Sequence, residues 1–341
     1  MIRATTRYRL ALAFTGALAL GSLAGPALAS VSTFYPTQSL GDRGTDVATL
    51  QQLLRYQQAG PPDGGDRTVI VAGRNPVVIP LDGVFGDSTV VAVRNFQMLH
   101  GLPQTGIVDP TTWTKLVVSL APGAHGEAVI AVQRLLREKR SASLALDGVY
   151  ATSTAAAVST FQGHMGLTRT GTMDATTWRA LVWHFELPQF EASALCDYSV
   201  GNGPANWGTA STIAAIEAAG AKTVAAGLGR VAVGDVSLVF GGDIPGHETH
   251  ERGLDADLRL MRKAHDQCVS GTSWRSSSYD RAATRALIKA IRAVAPGHVK
   301  LIYFNDPVLI GEGFATWSSG HDDHLHVRFC EAYHPDSRYR C

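Results

Sequence analysis

The chain has 341 residues, with 30 Lys+Arg against 29 Asp+Glu, 12 His and 4 Cys. Apolar residues make up 45% and charged residues 17%, which excludes a disordered chain. At roughly 100–200 residues per domain, the length implies two or three domains. A net charge of +1 gives no general attraction to nucleic acid or an acidic membrane, and 4 Cys are too few for a disulfide-dense scaffold.

Residues 1–29 read as a secretory signal peptide. Arg3, Arg7 and Arg9 form a basic start, Leu10 to Leu23 is apolar, and Ala27-Leu28-Ala29 is a small-x-small cleavage site before Ser30. The apolar run falls short of the roughly 20 residues a spanning helix needs. No Cys lies near the cut to take a lipid. The mature chain is therefore expected to be secreted and extracytoplasmic, with no membrane contact after cleavage. Cys196, Cys268, Cys330 and Cys341 all fall in the C-terminal part and none forms a C-x-x-C pair, which argues against a thiolate metal site. Two disulfides are expected in an oxidising compartment. Cys330–Cys341 closes a short terminal loop, which leaves Cys196–Cys268.

The middle of the chain repeats itself. Residues 81–117 align without gaps to 146–182, with 20 identities in 37 positions. Upstream, Leu50-Gln51-Gln52-Leu53-Leu54 matches Val132-Gln133-Arg134-Leu135-Leu136, so the first copy carries extra residues around 58–77, a Gly/Pro/Asp-rich loop insertion. Each copy predicts three helices. Val47, Leu50, Leu53 and Leu54 recur at helical spacing. A second helix starts near Ser88 or Ser153, and Asp109-Pro110 caps the third. Phe96, Phe161, Trp113 and Trp178 recur at matching places, either as core residues or as the lining of a sugar- or peptide-binding groove.

The recurring L-Q-x-x-L, L-D-G-V-F/Y, S-T-x-x-A-V-x-x-F-Q, T-G and D-x-x-T-W-x-x-L pattern resembles the peptidoglycan-binding domain found beside bacterial cell-wall hydrolases. The resemblance implies two small all-α modules, at 39–118 and 122–184, with peptidoglycan as partner. Two tethered modules would add avidity through effective concentrations on the order of mM. Ala151-Thr152 replaces the Gly-Asp of the first copy, so the copies need not bind equally.

A linker is expected at 185–195, then an α+β domain at 196–341. Its predicted elements are helices at 209–220 and 279–294 and strands near 230–239, 254–260, 299–304 and 324–329. Five histidines cluster here. The first group is Gly246-His247-Glu248-Thr249-His250, running to Asp255-Ala256-Asp257. The second is His321-Asp322-Asp323-His324-Leu325-His326. In a strand His324 and His326 share a face, while Leu325 and Val327 face a core. Leu254, Ala256, Leu258 and Leu260 alternate with Asp255 and Asp257, and Gly253 permits a bend that returns His250 toward one carboxylate. One His and one Asp from the first group plus one His of the H-x-H pair make the three N/O ligands of a catalytic zinc site. The clusters are expected at one edge of the sheet. His265, His298 and His334 are read as surface or structural residues. No G-x-S-x-G elbow occurs, which argues against a serine hydrolase.

The joint pattern resembles the LAS superfamily of zinc peptidases. G-H-x-T-H-x-x-G-L-D-x-D with H-x-x-H-x-H-V-R is most similar to the penicillin-insensitive murein endopeptidases. That resemblance implies Zn2+ held by His250, Asp257 and His326, with His247 and His321 as the extra histidines of this branch. His321 is the candidate general base or transition-state donor, His324 steadies the oxyanion, and His247 orients a neighbour or binds substrate. Asp322 and Asp323 are acidic alternatives or groups that orient a His, and Asp235 is structural or touches substrate. The implied activity is a DD-endopeptidase that cuts peptide cross-links, acting as a monomer. The alternatives are a D,D- or L,D-carboxypeptidase, or a wall-binding protein without catalysis.

Overall fold

The computed structural model describes residues 35–59, 68–69, 77–190, 194–199 and 205–341. The predicted signal segment 1–29 lies outside them, as does most of the predicted insertion.

The repeated sequence becomes repeated structure. The first copy comprises α1 (Thr45–Ala59), the short strands β1 (Thr68–Val69) and β2 (Val77–Val78), α2 (Asp87–Leu99) and α3 (Pro110–Leu116). β1 and β2 pair antiparallel, so the described part of the insertion is a small ladder rather than open loop. The second copy comprises α4 (Glu127–Arg140), α5 (Thr152–His164) and α6 (Ala175–Trp183). Asp109 and Asp174 cap α3 and α6 by accepting from the backbone N–H three residues on, and Pro110 takes the first turn of α3.

The polar identities of the repeat are explained by two buried glutamines per copy. Gln51 Nε2 donates to Asp82 Oδ1 and to the Val84 carbonyl, both at 3.0 Å, while its Oε1 accepts from Gly83 N. Gln133 makes the same bonds to Asp147, Val149 and Gly148. Gln97 and Gln162 do likewise with the T-G turns and with Thr112 or Thr177. Each buried amide is thereby satisfied, which is what lets these polar residues sit inside a small core. Phe96, Phe161, Trp113 and Trp178 are buried, so the core reading holds and they line no open groove. Trp113 Nε1 donates to the Pro36 carbonyl and Trp178 Nε1 to that of Val118.

The two copies are not beads on a tether. α1 packs on α4, and one continuous hydrophobic cluster runs from Tyr35 to Val182. Buried Lys139 of α4 pairs with Asp46 of α1 at 2.7 Å and donates to the Val182 carbonyl. Linker-based avidity does not describe this rigid pair, because their spacing is set by packing.

The C-terminal part is α+β. It contains β3 (Leu195–Asp197), α7 (Ala210–Ala225), β4 (Val231–Val233), β5 (Asp255–Arg259), α8 (Arg281–Val294), β6 (Val299–Tyr303), α9 (Pro307–Gly311) and β7 (His324–Phe329). The sheet order is β3-β4-β5-β7-β6, with β3 and β4 parallel and the other pairs antiparallel. α7 and α8 cover the sheet face that carries Ala256, Leu258, Leu325 and Val327. β4 is shorter than the predicted 230–239. After Val233 the regular pairing ends at Gly234, which packs on the Tyr198 ring, although Gly234 N and the Asp235 carbonyl still bond to Asp257. Both expected disulfides are present, Cys196–Cys268 and Cys330–Cys341.

Candidate active site

The site rests on the register of two neighbouring strands. β5 and β7 pair so that Asp257 lies opposite His326, Asp255 opposite Arg328 and Arg259 opposite His324. Alternation places Leu325 and Val327 in the core and turns His324, His326, Asp255 and Asp257 to the other face. The expectation that the clusters lie at one edge of the sheet is thus corrected. β5 is the middle strand and β7 lies beside it, because β4 and β6 pair on their outer sides and cover both edges. Gly253 enters β5 at φ +66°, and a Cβ there would press on Gly208 Cα and Thr209 N. That bend returns His250 over the strand, with Nε2 3.4 Å from Asp257 Oδ1.

All six residues proposed from the sequence meet here. His326 Nδ1 lies 3.0 Å from Asp257 Oδ1 and 3.2 Å from His250 Nε2. His247 Nδ1 is 3.7 Å from Asp257 Oδ2, and His324 Nε2 is 3.7 Å from Asp257 Oδ1. The His321 ring stands 4.9 Å from that of His324 and 5.5 Å from that of His326. Ligand atoms of His247, His250 and Asp257 all lie within 4.8 Å of one another, a group that could hold a metal ion.

Each imidazole is pinned from outside by an acceptor. His250 Nδ1 donates to the Val236 carbonyl and His321 Nδ1 to the Ser319 carbonyl. His326 Nε2 meets Asp255, His324 Nδ1 meets Asp323, and His247 Nε2 meets Asp235 Oδ2 at 3.0 Å. A carbonyl can only accept, so the proton of His250 and of His321 sits on Nδ1, which leaves a lone pair on Nε2 facing inward. Such outer partners fix tautomer and ring direction in metal sites. Two imidazole nitrogens and a carboxylate converging at hydrogen-bond distance match the donor set of a divalent metal with an open position.

Burial alone would raise the Asp257 carboxyl, but the surrounding imidazoles of His250, His326 and His324 override it and hold Asp257 well below the usual carboxylate range. Burial likewise opposes the lowering of Asp255, which His326 and Arg328 bring about. For His326, burial disfavours the charge, yet Asp255 and Asp257 raise its pKa to about 9. Burial lowers His321, and the neighbouring His324 adds to that. The two carboxylates thus stay ionised around a shared cation, a place a metal could take.

Asp323 orients His324, as one sequence reading held. Asp322 does not orient a histidine. It accepts from Trp274 Nε1 and Asn305 Nδ2 at 3.0 Å and pairs with Arg275, bracing the loop that carries His321. Asp235 turns out to pin His247. Asp255 and Arg328 were missed as the pair that fixes His326, with Arg328 Nε donating to Asp255 Oδ1 at 2.6 Å. The Asp-x-Asp facing His-x-Arg register was the available signal. His298 is buried against Asp42 and the Cys330 carbonyl, His334 is buried beside Tyr339, and His265 is exposed, so none of the three joins the site.

An α+β domain whose central strands present imidazoles and carboxylates, carried behind a duplicated helical body, has the donor set of a metal site. Residues 43–116 and 125–181 match the putative peptidoglycan binding domain, and residues 202–301 match the penicillin-insensitive murein endopeptidase. The chain therefore carries two peptidoglycan-binding repeats followed by a penicillin-insensitive murein endopeptidase domain. The matched stretch holds His247, His250 and Asp257 and ends before His321, His324 and His326. A relative from Kitasatospora aureofaciens, described as an uncharacterized protein in bpoA1 3'region, is 36% identical over 86 residues. That segment is 25% of this chain and 58% of the relative, so the chain spans less than two thirds of that relative's length. No helix among the described residues is long and apolar enough to cross a membrane.

Proposed function

We propose that the chain is a secreted, monomeric, zinc-dependent murein hydrolase that cleaves the peptide cross-links of peptidoglycan as a DD-endopeptidase. The observation that carries this reading is the set of imidazoles around Asp257, each pinned by its own outer acceptor. The helical modules, assigned to 39–118 and 122–184, hold the chain at the wall, and the peptidase domain spans 196–341. Two disulfides fit an oxidising, extracytoplasmic setting.

His250 Nε2, Asp257 and His326 Nδ1 would hold the zinc. His247 is the competing third ligand, but its Nε2 is engaged by Asp235 and its Nδ1 stands farther from Asp257 than His326 does. When bound there, zinc would supply an acidified water and a Lewis acid for the scissile carbonyl. His321, neutral and with Nε2 free, accepts the proton of the attacking water and returns it to the leaving amine. His324, protonated on the Nδ1 that faces Asp323, holds the oxyanion side through Nε2 when it carries a second proton. Neutral hydrolysis balances: one amide bond breaks, and water supplies OH to the acyl carbon and H to the amine.

The test is digestion of purified cross-linked peptidoglycan, with mass analysis of products, with and without a chelator. Chelator-sensitive loss of cross-linked dimers without release of terminal D-Ala supports the endopeptidase. Release of D-Ala from monomers would replace it with a carboxypeptidase, and absence of any metal-dependent product would leave a wall-binding protein.

A further inference from the structure

The loop 241–253 carries His247 and His250, and both of its ends rest on the exit of the second repeat. A Cβ on Gly253 would lie 3.0 Å from Phe185 Cε2, and one on Gly241 would lie 3.9 Å from the same atom and run into the Glu251 carbonyl. Gly241 and Gly253 both have positive φ, +73° and +66°. The loop therefore starts and finishes in backbone conformations that only close packing on Phe185 and on the chain itself fixes. Just before it, the Phe240 ring sits 5.0 Å from that of His164, at the end of α5, and 5.8 Å edge-on to that of His184, which follows α6. His184 also lies edge-on to Phe161 in the repeat core and to Trp207 in the peptidase domain. Glu186 and Gly208 exchange backbone hydrogen bonds at 2.8 and 2.9 Å across the same junction. Within the loop, Gly242 N donates to the Glu251 carbonyl and His247 N to that of Ile244.

We propose that the end of the second repeat, through His184, Phe185 and the Phe240 ring seated on it, is a positioning element for the 241–253 loop. The binding body then does more than hold the enzyme at the wall: it sets where His247 and His250 stand. This rests on the hydrolase reading above only for its kinetic consequence. Misplacing a reacting group by about 1 Å can cost up to about 100-fold in rate. A loop that is loosened rather than lost should cost about tenfold.

The test uses the full chain. Phe240 is 43% exposed, so Phe240→Ala leaves the cores intact. On a soluble cross-linked muropeptide too small to engage the wall, Phe240→Ala should lower kcat about tenfold, with KM within about twofold and metal content unchanged; Phe240→Trp should restore kcat. Hydrogen exchange in the metal-free protein is the second readout. The amides of Gly242 and His247 should exchange at least about tenfold faster in Phe240→Ala, while those of α8 stay unchanged. Phe185→Leu should act in the same direction. Unchanged exchange at Gly242 and His247, or unchanged kcat in an active enzyme, overturns the proposal. An inactive wild type would remove the hydrolase reading, and exchange alone would then decide the positioning: faster in Phe240→Ala supports it, unchanged overturns it.

Discussion

Replacing Glu186 by Gln should make the chain more stable at pH 8 and nearly unchanged at pH 5. Glu186 is buried where the helical body meets the peptidase domain, and its Oε2 has no hydrogen-bond partner among the described residues. The groups facing it are Lys139, Asp46, Glu217 and Thr45. Burial dominates and pushes its carboxyl up to about 8, with Lys139 pulling the other way and Asp46 and Glu217 adding to the rise. Nearby Glu331, facing Asp42 and Asp46, is also raised by burial, and Asp42 is raised to about 6. The sign follows from proton binding. In the unfolded chain a glutamate ionises near pH 4.3, whereas folded Glu186 keeps its proton until about pH 8. Between these values the unfolded state holds fewer protons, so stability falls as pH rises, by up to about 1.4 kcal/mol per pH unit for this one group. Over about three units this comes to roughly 2–4 kcal/mol, which Gln, of nearly the same volume, does not lose. Guanidinium unfolding of both proteins, followed by tryptophan fluorescence at half-unit steps from pH 5 to 8, measures the two slopes. Wild-type and Glu186→Gln curves that run parallel across this window would refute the reasoning.

Lys139→Met should destabilise by about 3–5 kcal/mol, because Asp46 is left buried without its partner. Adding Asp46→Asn should recover much of that in the same unfolding assay. His250→Ala, Asp257→Ala and His326→Ala should each lose stoichiometric zinc by elemental analysis, while His247→Ala and His321→Ala retain it. His321→Ala should also lose most turnover, and a near-normal rate would remove His321 from the chemistry. Asp255→Asn should keep the stoichiometry but weaken zinc affinity about 10–100-fold in chelator competition, because His326 loses the acceptor that orients it.

The chemistry of the site was legible where side chains carry the signal. Period-two alternation placed His324 and His326 on one face and Leu325 and Val327 on the other, and the structure bears that out. The duplicated helices were legible because capping residues and polar staples repeat along with the apolar positions. Backbone acceptors leave no such mark. Nothing in the sequence distinguishes the Val236 or Ser319 carbonyl from any other, yet these two orient His250 and His321. The same holds for β4, whose regular pairing stops at Val233 although Gly234 and Asp235 still bond to the backbone of Asp257. Lys139 reads as an ordinary basic residue in the last turn of a helix, where its charge suits the helix dipole. Its burial against Asp46 depends on how two distant helices cross.

That crossing bears on how the protein is organised. A tether between binding modules and peptidase would require few packed contacts and exposed backbone at the junction. Phe185 and Glu186, inside the predicted linker, are instead buried, and Arg43 of the first repeat donates from Nε to the Val294 carbonyl at the end of α8. Gly44 comes so close to α7 that a Cβ there would meet Ala210 and Ala214. Such contacts cannot be made by one module without fixing the other, since the repeats share a single core. Binding body and peptidase domain therefore form one oriented unit. The direction from which a wall strand reaches the site is set by packing at Gly44, Arg43 and Phe185 rather than by linker length. Insertions at 185–190 should then impair the enzyme more, in muropeptide turnover, than insertions of equal size at 103–104, in an exposed loop of the first repeat.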